Sequence, residues 1–206
     1  MRTRTGHQPK RSALTVIGVV LGAALLFGMA VLAVSYDDGS GAAREASVPT
    51  IDGAALPADA VDLPAPVATG ASLLTGGEVS VPVDGEPTII VFLAHWCQHC
   101  QREVPVVQDW LDSGGLPAGV AMRAVATGND PARPNFPPED WLEREDWTVP
   151  TLHDDGSVAR AYGLDATPFW AFVAGDGTVL GRTSGMLPVE QLDAVAQQLA
   201  RSGGAP

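Results

Sequence analysis

The sequence predicts an α/β domain, a mixed central sheet flanked by helices, behind an N-terminal transmembrane helix and a disordered linker. Three observations lead there. An apolar run without a charge fills residues 13–34, and an Ala/Pro/Gly-rich stretch without periodicity follows to residue 70. Beyond it, strand-like runs alternate with helical segments and then close on a hairpin and a helix, the order expected of a sheet with helices on its faces.

At about 1.5 Å of rise per residue, a helix over residues 13–34 is about 33 Å long and matches a hydrocarbon core. Arg2, Arg4, Lys10 and Arg11 precede the run, and Asp37 and Asp38 follow it. By the positive-inside rule, residues 1–12 form a cytoplasmic basic tail, 13–34 a single-pass plasma-membrane anchor, and the rest lies on the extracytoplasmic side. A cleaved signal peptide is the competing reading; its apolar region is usually shorter, about 7–15 residues. Residues 35–70 lack the apolar content to offset ordering entropy and read as a linker.

Residues 71–202 are long enough for one core. Glu78–Val83 alternates and suggests a strand. Thr88–Ala94 is a continuous β-branched and aromatic run, as in a strand covered on both faces. A helix is predicted from the cysteine motif to about Leu111, stopped by Ser113-Gly114-Gly115. Val120–Ala126 reads as a second buried strand, and Pro131, Pro134, Pro137 and Pro138 make a stiff loop that opens a short acidic helix to about Arg144. Trp147–Leu152 is a possible strand, and Ser157–Tyr162 a short helix with Ser157 as cap and Gly163 as stop. Phe169–Val173 and Thr178–Arg182 pair around Gly175-Asp176-Gly177. Pro188–Arg201 is amphipathic, with Leu192, Val195, Ala196 and Leu199 on one face.

Composition narrows the function. Net charge is −12, and the chain after the basic tail is more acidic still, which argues against a nucleic-acid partner. Two cysteines exclude a multi-disulfide scaffold and a four-cysteine zinc site.

Both cysteines lie in Cys97-Gln98-His99-Cys100, between the buried strand and a helix N-terminus. Free N–H groups and the positive end of the helix dipole there favour Cys97 as a thiolate, the nucleophile of disulfide exchange. Cys100, one turn on and more buried, is placed to resolve a mixed disulfide at Cys97. As a mere staple the pair would close too small a loop to stabilise the fold much.

Val91-Phe92-Leu93-Ala94-His95-Trp96-Cys97-Gln98-His99-Cys100 resembles the active-site segment of the thioredoxin superfamily, and Pro105 falls where that helix carries a kinking proline. Tyr162-Gly163-Leu164-Asp165-Ala166-Thr167-Pro168-Phe169 is similar to its cis-proline segment. With the N-terminal anchor and the pattern Cys-x-x-Cys-x-x-Glu, in which Glu103 stands three positions after Cys100, the chain resembles the membrane-anchored TlpA/ResA type of extracytoplasmic thiol-disulfide oxidoreductase. The resemblance implies a thioredoxin fold, Cys97 attacking, Cys100 resolving, Pro168 cis beside the disulfide, and Glu103 as active-site acid. It implies no cofactor beyond the redox-active Cys97–Cys100 disulfide, exported protein thiols or disulfides as substrates, and a membrane electron donor or acceptor. Thioredoxin's buried aspartate would fall at Val91, so Glu103 or water must move the Cys100 proton.

Trp96, His99 and Thr167 are expected to tune the pair. A His before the second cysteine stabilises the thiolate and makes the disulfide more oxidising, whereas the subfamily resemblance favours a reductant; the direction of electron flow stays open. Two rival classes remain. One is a metal-binding or metallochaperone module using His95, Cys97, His99 and Cys100; the other is a binding module that keeps the fold without turnover. His153-Asp154-Asp155 reads as a turn and cap.

Overall fold

The computed structural model describes residues 49–203. The predicted anchor at 13–34 lies outside them; among the described residues no helix is long and apolar enough to cross a membrane.

The central sheet has five strands in the order β6-β5-β4-β7-β8. Its middle strand is β4 (Thr88–Leu93), every residue of which is buried. β5 (Ala121–Ala126) and β6 (Thr151–His153) run parallel to it on one side, while β7 (Phe169–Val173) and β8 (Val179–Ser184) continue antiparallel on the other. The continuous apolar run at 88–94 therefore reports what it should: a strand with no solvent-facing side.

Alternation along β4 divides the core in two. Ile89, Val91 and Leu93 pack with Cys100, Val104, Val107 and Trp110 of α1 (Gln98–Asp112), Trp141 and Leu142 of α2 (Pro138–Arg144), and Leu192, Ala196 and Leu199 of α4 (Val189–Gly203). Ile90 and Phe92 face the other way, toward Val158 and Ala159 of α3 (Ser157–Ala161) and toward Tyr162. Trp110, Trp141, Trp147 and Trp170 are all buried in the first cluster.

The linker prediction needs correction within residues 49–70. β1 (Thr50–Asp52), β2 (Val67–Ala71) and β3 (Glu78–Val81) form a second, antiparallel sheet, and Leu56, Ala60, Ala65 and Ala68 are core residues. The physical reason is the second face of β4. A five-residue α3 is too short to cover it, so the N-terminal segment does. That segment is held by hydrogen bonds rather than by its own periodicity. Leu56 N–H donates to Ala161 O, Asp62 N–H to Val179 O, and the Tyr162 hydroxyl to Pro66 O at 2.7 Å. Arg182 adds donors to the carbonyls of Pro57, Ala58 and Tyr162. Gly163, at φ +69°, leaves the space this crossing needs, since a Cβ there would stand 2.9 Å from Arg182 Nη1.

Two smaller corrections concern local signals. The strand predicted over 147–152 begins only at Thr151, after Pro150. Ser157 does not cap α3: the N-cap position is Gly156 at φ +95°, and the cap is the buried Asp154 carboxylate, which accepts from Val158 N–H (2.9 Å) and Ala159 N–H (3.2 Å). Asp155 accepts from Ser157 N–H, so the acidic pair does the capping.

The anchoring of the N-terminal segment is testable. Tyr162→Phe removes the donor to a buried carbonyl and is expected to cost about 1–2 kcal/mol in urea unfolding of the full chain. No loss would mean that segment 57–66 is not docked through this bond.

Candidate active site

Strand direction assembles the site. β4 and β5 are parallel, so the segments leaving them, 94–97 and 127–137, emerge at the same end of the sheet. β7 is antiparallel to β4, so its entry at Thr167-Pro168 and the exit of β8 at Gly185 lie at that end too. Cys97 occupies the N-cap of α1 with extended backbone (φ −76°, ψ 117°), between the dry strand and the helix. The Thr167–Pro168 peptide is cis, as the resemblance implied, and Pro105 lies within α1. Val81–Pro82 and Phe136–Pro137 are cis as well, which the sequence did not signal.

The two sulfurs are present as free thiols in unlike surroundings. Cys97 is half-buried. Its Sγ–H donates to Thr167 O at 3.2 Å. Burial acts to raise its pKa, but bonds from the Thr167 side chain, from Cys100 and from the His99 backbone outweigh it, and the net shift is downward. Cys100 is fully buried, 3.5 Å from the Ala94 N–H, and burial pushes its thiol up to about 12. The two thiols thus differ in both respects that govern thiol reactivity: Cys97 has the lower pKa and the more accessible sulfur.

Glu103 lies one turn after Cys100 and is 2% exposed. Its Oε1 accepts from Leu187 N–H at 2.8 Å, while burial raises its pKa. The same 185–187 segment holds the proline, because Gly185 N–H donates to Pro168 O. Glu103 is thus a buried acid tied to the cis-proline loop, and not a carboxylate on the outer face of the helix.

His99 is exposed, and its placement differs from the tuning expected of it. Arg102 Nη2 donates to His99 Nδ1 at 2.9 Å, so that nitrogen must accept. The part of His99 that favours the Cys97 thiolate is its backbone N–H. Trp96 is pinned at both ends: its Nε1–H donates to Gly128 O at 2.8 Å, and the Arg133 guanidinium lies 4.2 Å above its ring.

Sequence reasoning read the proline-rich loop as stiff but gave it no part in the site. His95 is 1% exposed and bridges it: Nδ1 lies 2.7 Å from Pro134 O, and Nε2 accepts from Asp130 N–H at 3.2 Å. A carbonyl must receive and an amide must give, so the ring is the neutral Nδ1–H tautomer. The His95 carbonyl accepts from Gln101 and Asn135 in turn. The metal reading loses His95 as a ligand by this arrangement, and no group of three or more His, Cys, Asp or Glu suited to a metal occurs among the described residues. The four prolines of the loop were the one signal in the sequence that it is stiff.

The AhpC/TSA family model matches residues 61–184. The chain belongs to the AhpC/TSA family. Among curated proteins, it is 25% identical over 119 residues to "Thiol-disulfide oxidoreductase ResA" of Oceanobacillus iheyensis, covering 57% of this chain and 59% of that one, less than two thirds of the relative. It is 25% identical over 120 residues to "Sporulation thiol-disulfide oxidoreductase A" of Bacillus subtilis, covering 58% and 72%. Among solved structures, MTB DsbF, determined in mixed oxidized and reduced forms, matches with a TM-score of 0.53 and 27% identity over 64% of this chain and 93% of that one. The thioredoxin-like α/β fold and the likeness to thiol-disulfide oxidoreductases of the ResA type agree with the reading of the Val91–Cys100 and Tyr162–Phe169 segments.

Two outcomes follow from the electrostatics. Alkylation of Cys97 in Cys100→Ser should rise with pH around a midpoint below that of an ordinary cysteine thiol; a midpoint at or above it would refute the lowered pKa. For Glu103, the raised folded pKa gives stability that is present below the unfolded value and lost as pH rises through the folded one. Glu103→Gln keeps the acceptor for Leu187 and removes the charge. In the reduced protein it should match the wild type near about pH 4 and exceed it in stability at about pH 7, read by urea unfolding. An equal difference at both pH values would show that Glu103 is not strained by ionisation.

Proposed function

We propose that this chain is a thiol-disulfide oxidoreductase acting on exported proteins from the extracytoplasmic face of the plasma membrane. The observation that carries the proposal is the unlike pair: Cys97 with a lowered pKa at the mouth of the site, and Cys100 buried with a pKa near about 12 directly behind it. The sequence of residues 1–38 supports the address, and the relatives support the activity.

In the reducing direction, the Cys97 thiolate attacks one sulfur of a substrate disulfide. The Cys97–substrate bond forms, the substrate S–S bond breaks, and the other substrate sulfur leaves as a thiolate. Cys100 then loses its proton and attacks Cys97 Sγ. The mixed disulfide breaks, Cys97–Cys100 forms, and the second substrate sulfur leaves. Two electrons have passed from the pair to the substrate, and no further cofactor takes part. Oxidation of substrate thiols is the same path reversed.

Val91 offers no carboxylate behind the site, so the Cys100 proton goes to Glu103 directly or through water. Glu103 suits this role because burial raises its pKa, which makes its carboxylate a better proton acceptor than an exposed one. Trp96 and Thr167 flank the attacking sulfur. A membrane donor or acceptor resets the pair.

Three measurements on the full chain test this. Cys97→Ser should abolish exchange, and Cys100→Ser should accumulate a mixed disulfide with substrate that reductant releases. The wild type should show a reversible two-electron transition against thiol buffers, followed by tryptophan fluorescence. A potential above about −180 mV assigns it as an oxidant, and one below about −250 mV as a reductant. Absence of any such transition would overturn the proposal.

A further inference from the structure

Among the described residues basic side chains are scarce: seven arginines and no lysine, against 21 acids. Four of the arginines lie away from the site. Arg123 is within β5, Arg160 and Arg182 are on the α3 side, and Arg201 is at the end of α4. The other three serve the segments around Cys97. Arg102 is on the first turns of α1 and bonds His99. Arg144 donates to Asn135 of the loop that braces His95. Arg133 lies over Trp96, the residue immediately before the nucleophile.

Arg133 is open to a docking chain and lies over the residue that precedes Cys97. Its side chain is 52% exposed, and its one ion pair, to Asp130 at 3.4 Å, uses Nε. Its two terminal nitrogens, the fork that grips a carboxylate, take part in no hydrogen bond among the described residues. The indole beneath orients the guanidinium, so little side-chain freedom is left to lose on binding. The indole in turn is fixed by Gly128 O, and the loop by the fully bonded His95. The exposed Phe136, edge-on to His95 at 5.7 Å, extends the same wall. Anionic groups at this end include Asp130, already paired with Arg133, Asp165, bonded to Ser184 on the proline side, and Asp154 and Asp155 after β6, whose carboxylates are engaged by the first N–H groups of α3.

We propose that the Trp96–Arg133 wall selects substrate segments that carry a carboxylate next to the reacting cysteine. This rests on the thiol-disulfide exchange reading and adds to it the chemistry of the preferred partner. The rest of the surface is acidic on balance, so Arg133 acts as a local focus that sets register and raises the encounter rate.

The test uses two peptides with one cysteine each, flanked on both sides by Glu or by Gln, activated as mixed disulfides with 2-thiopyridine. The reduced full chain attacks the peptide sulfur through Cys97, the peptide–pyridyl S–S bond breaks, and 2-thiopyridone leaves and is followed by its absorbance. Cys100 then releases the peptide thiol. Each second-order rate constant is divided by that for a neutral small-molecule thiol, which removes differences in peptide electrophilicity. The Glu/Gln ratio is expected to reach about tenfold in roughly 10 mM salt and to collapse toward one near 1 M, where screening shortens to about 3 Å.

Arg133→Gln should bring the low-salt ratio down several-fold. Arg133→Lys, which keeps the charge without the planar fork, should retain part of it, and Asp130→Asn should raise it. A wild-type ratio at or below one, or a ratio unmoved by Arg133→Gln, overturns this inference and leaves the exchange activity standing. Failure of both peptides to react overturns the exchange reading, and this inference with it.

Discussion

Burial of β4 on both faces is the constraint on which the rest of the structure depends. Because Thr88–Leu93 has no solvent side, the chain cannot leave the sheet gradually; it breaks out after Ala94 and starts α1 within a few residues. That abrupt exit sets Cys97 at a helix N-terminus, where backbone donors are free, and sends Cys100 back into the first core cluster. Three residues of separation become two dielectric environments. The difference in burial and acidity between the sulfurs is a consequence of where the strand ends, and needs no charged residue beside them.

The same constraint has a cost on the opposite face. Ile90 and Phe92 must be covered, as must Phe169 and Ala171 from β7, and α3 supplies only one turn or so of helix. Residues 49–81 complete the layer as a small antiparallel sheet and an irregular strap. Many of the strap's buried side chains are alanines, which need no amphipathic period to be accommodated. Its backbone groups are satisfied by Tyr162, Arg182, Ala161 and Val179, elements 96 residues or more away in the case of the Tyr162–Pro66 bond.

A polar bolt joins the redox segment to the loop after β5. His95 is a titratable residue two positions before Cys97 and reads at first as a metal ligand. In the fold both its nitrogens and its carbonyl are consumed in holding residues 128–135. A fully satisfied buried network of this kind is rigid. It gives Trp96 and Arg133 fixed places on one side of Cys97, while the segment 185–187 does the same for Pro168 and Glu103 on the other. The reactive sulfur thus sits between two braced walls.

Local pattern was enough to determine β4, β5, α1, the β7–β8 pair and α4, because each announces itself within its own window as a buried run or an amphipathic period. The candidate site was legible for the same reason: Cys97 and Cys100 lie within one four-residue motif, and Thr167-Pro168 sits in a recognisable segment of its own. Tertiary structure alone decided what depends on a distant partner. It converted residues 49–70 from apparent linker into a docked segment with β1 and most of β2, buried Glu103 against Leu187, and spent both ring nitrogens of His95 on the loop at 130–134. None of these carries a local signal, since a hydrogen bond or a buried face is a property of two segments, and only folding brings the second one into place.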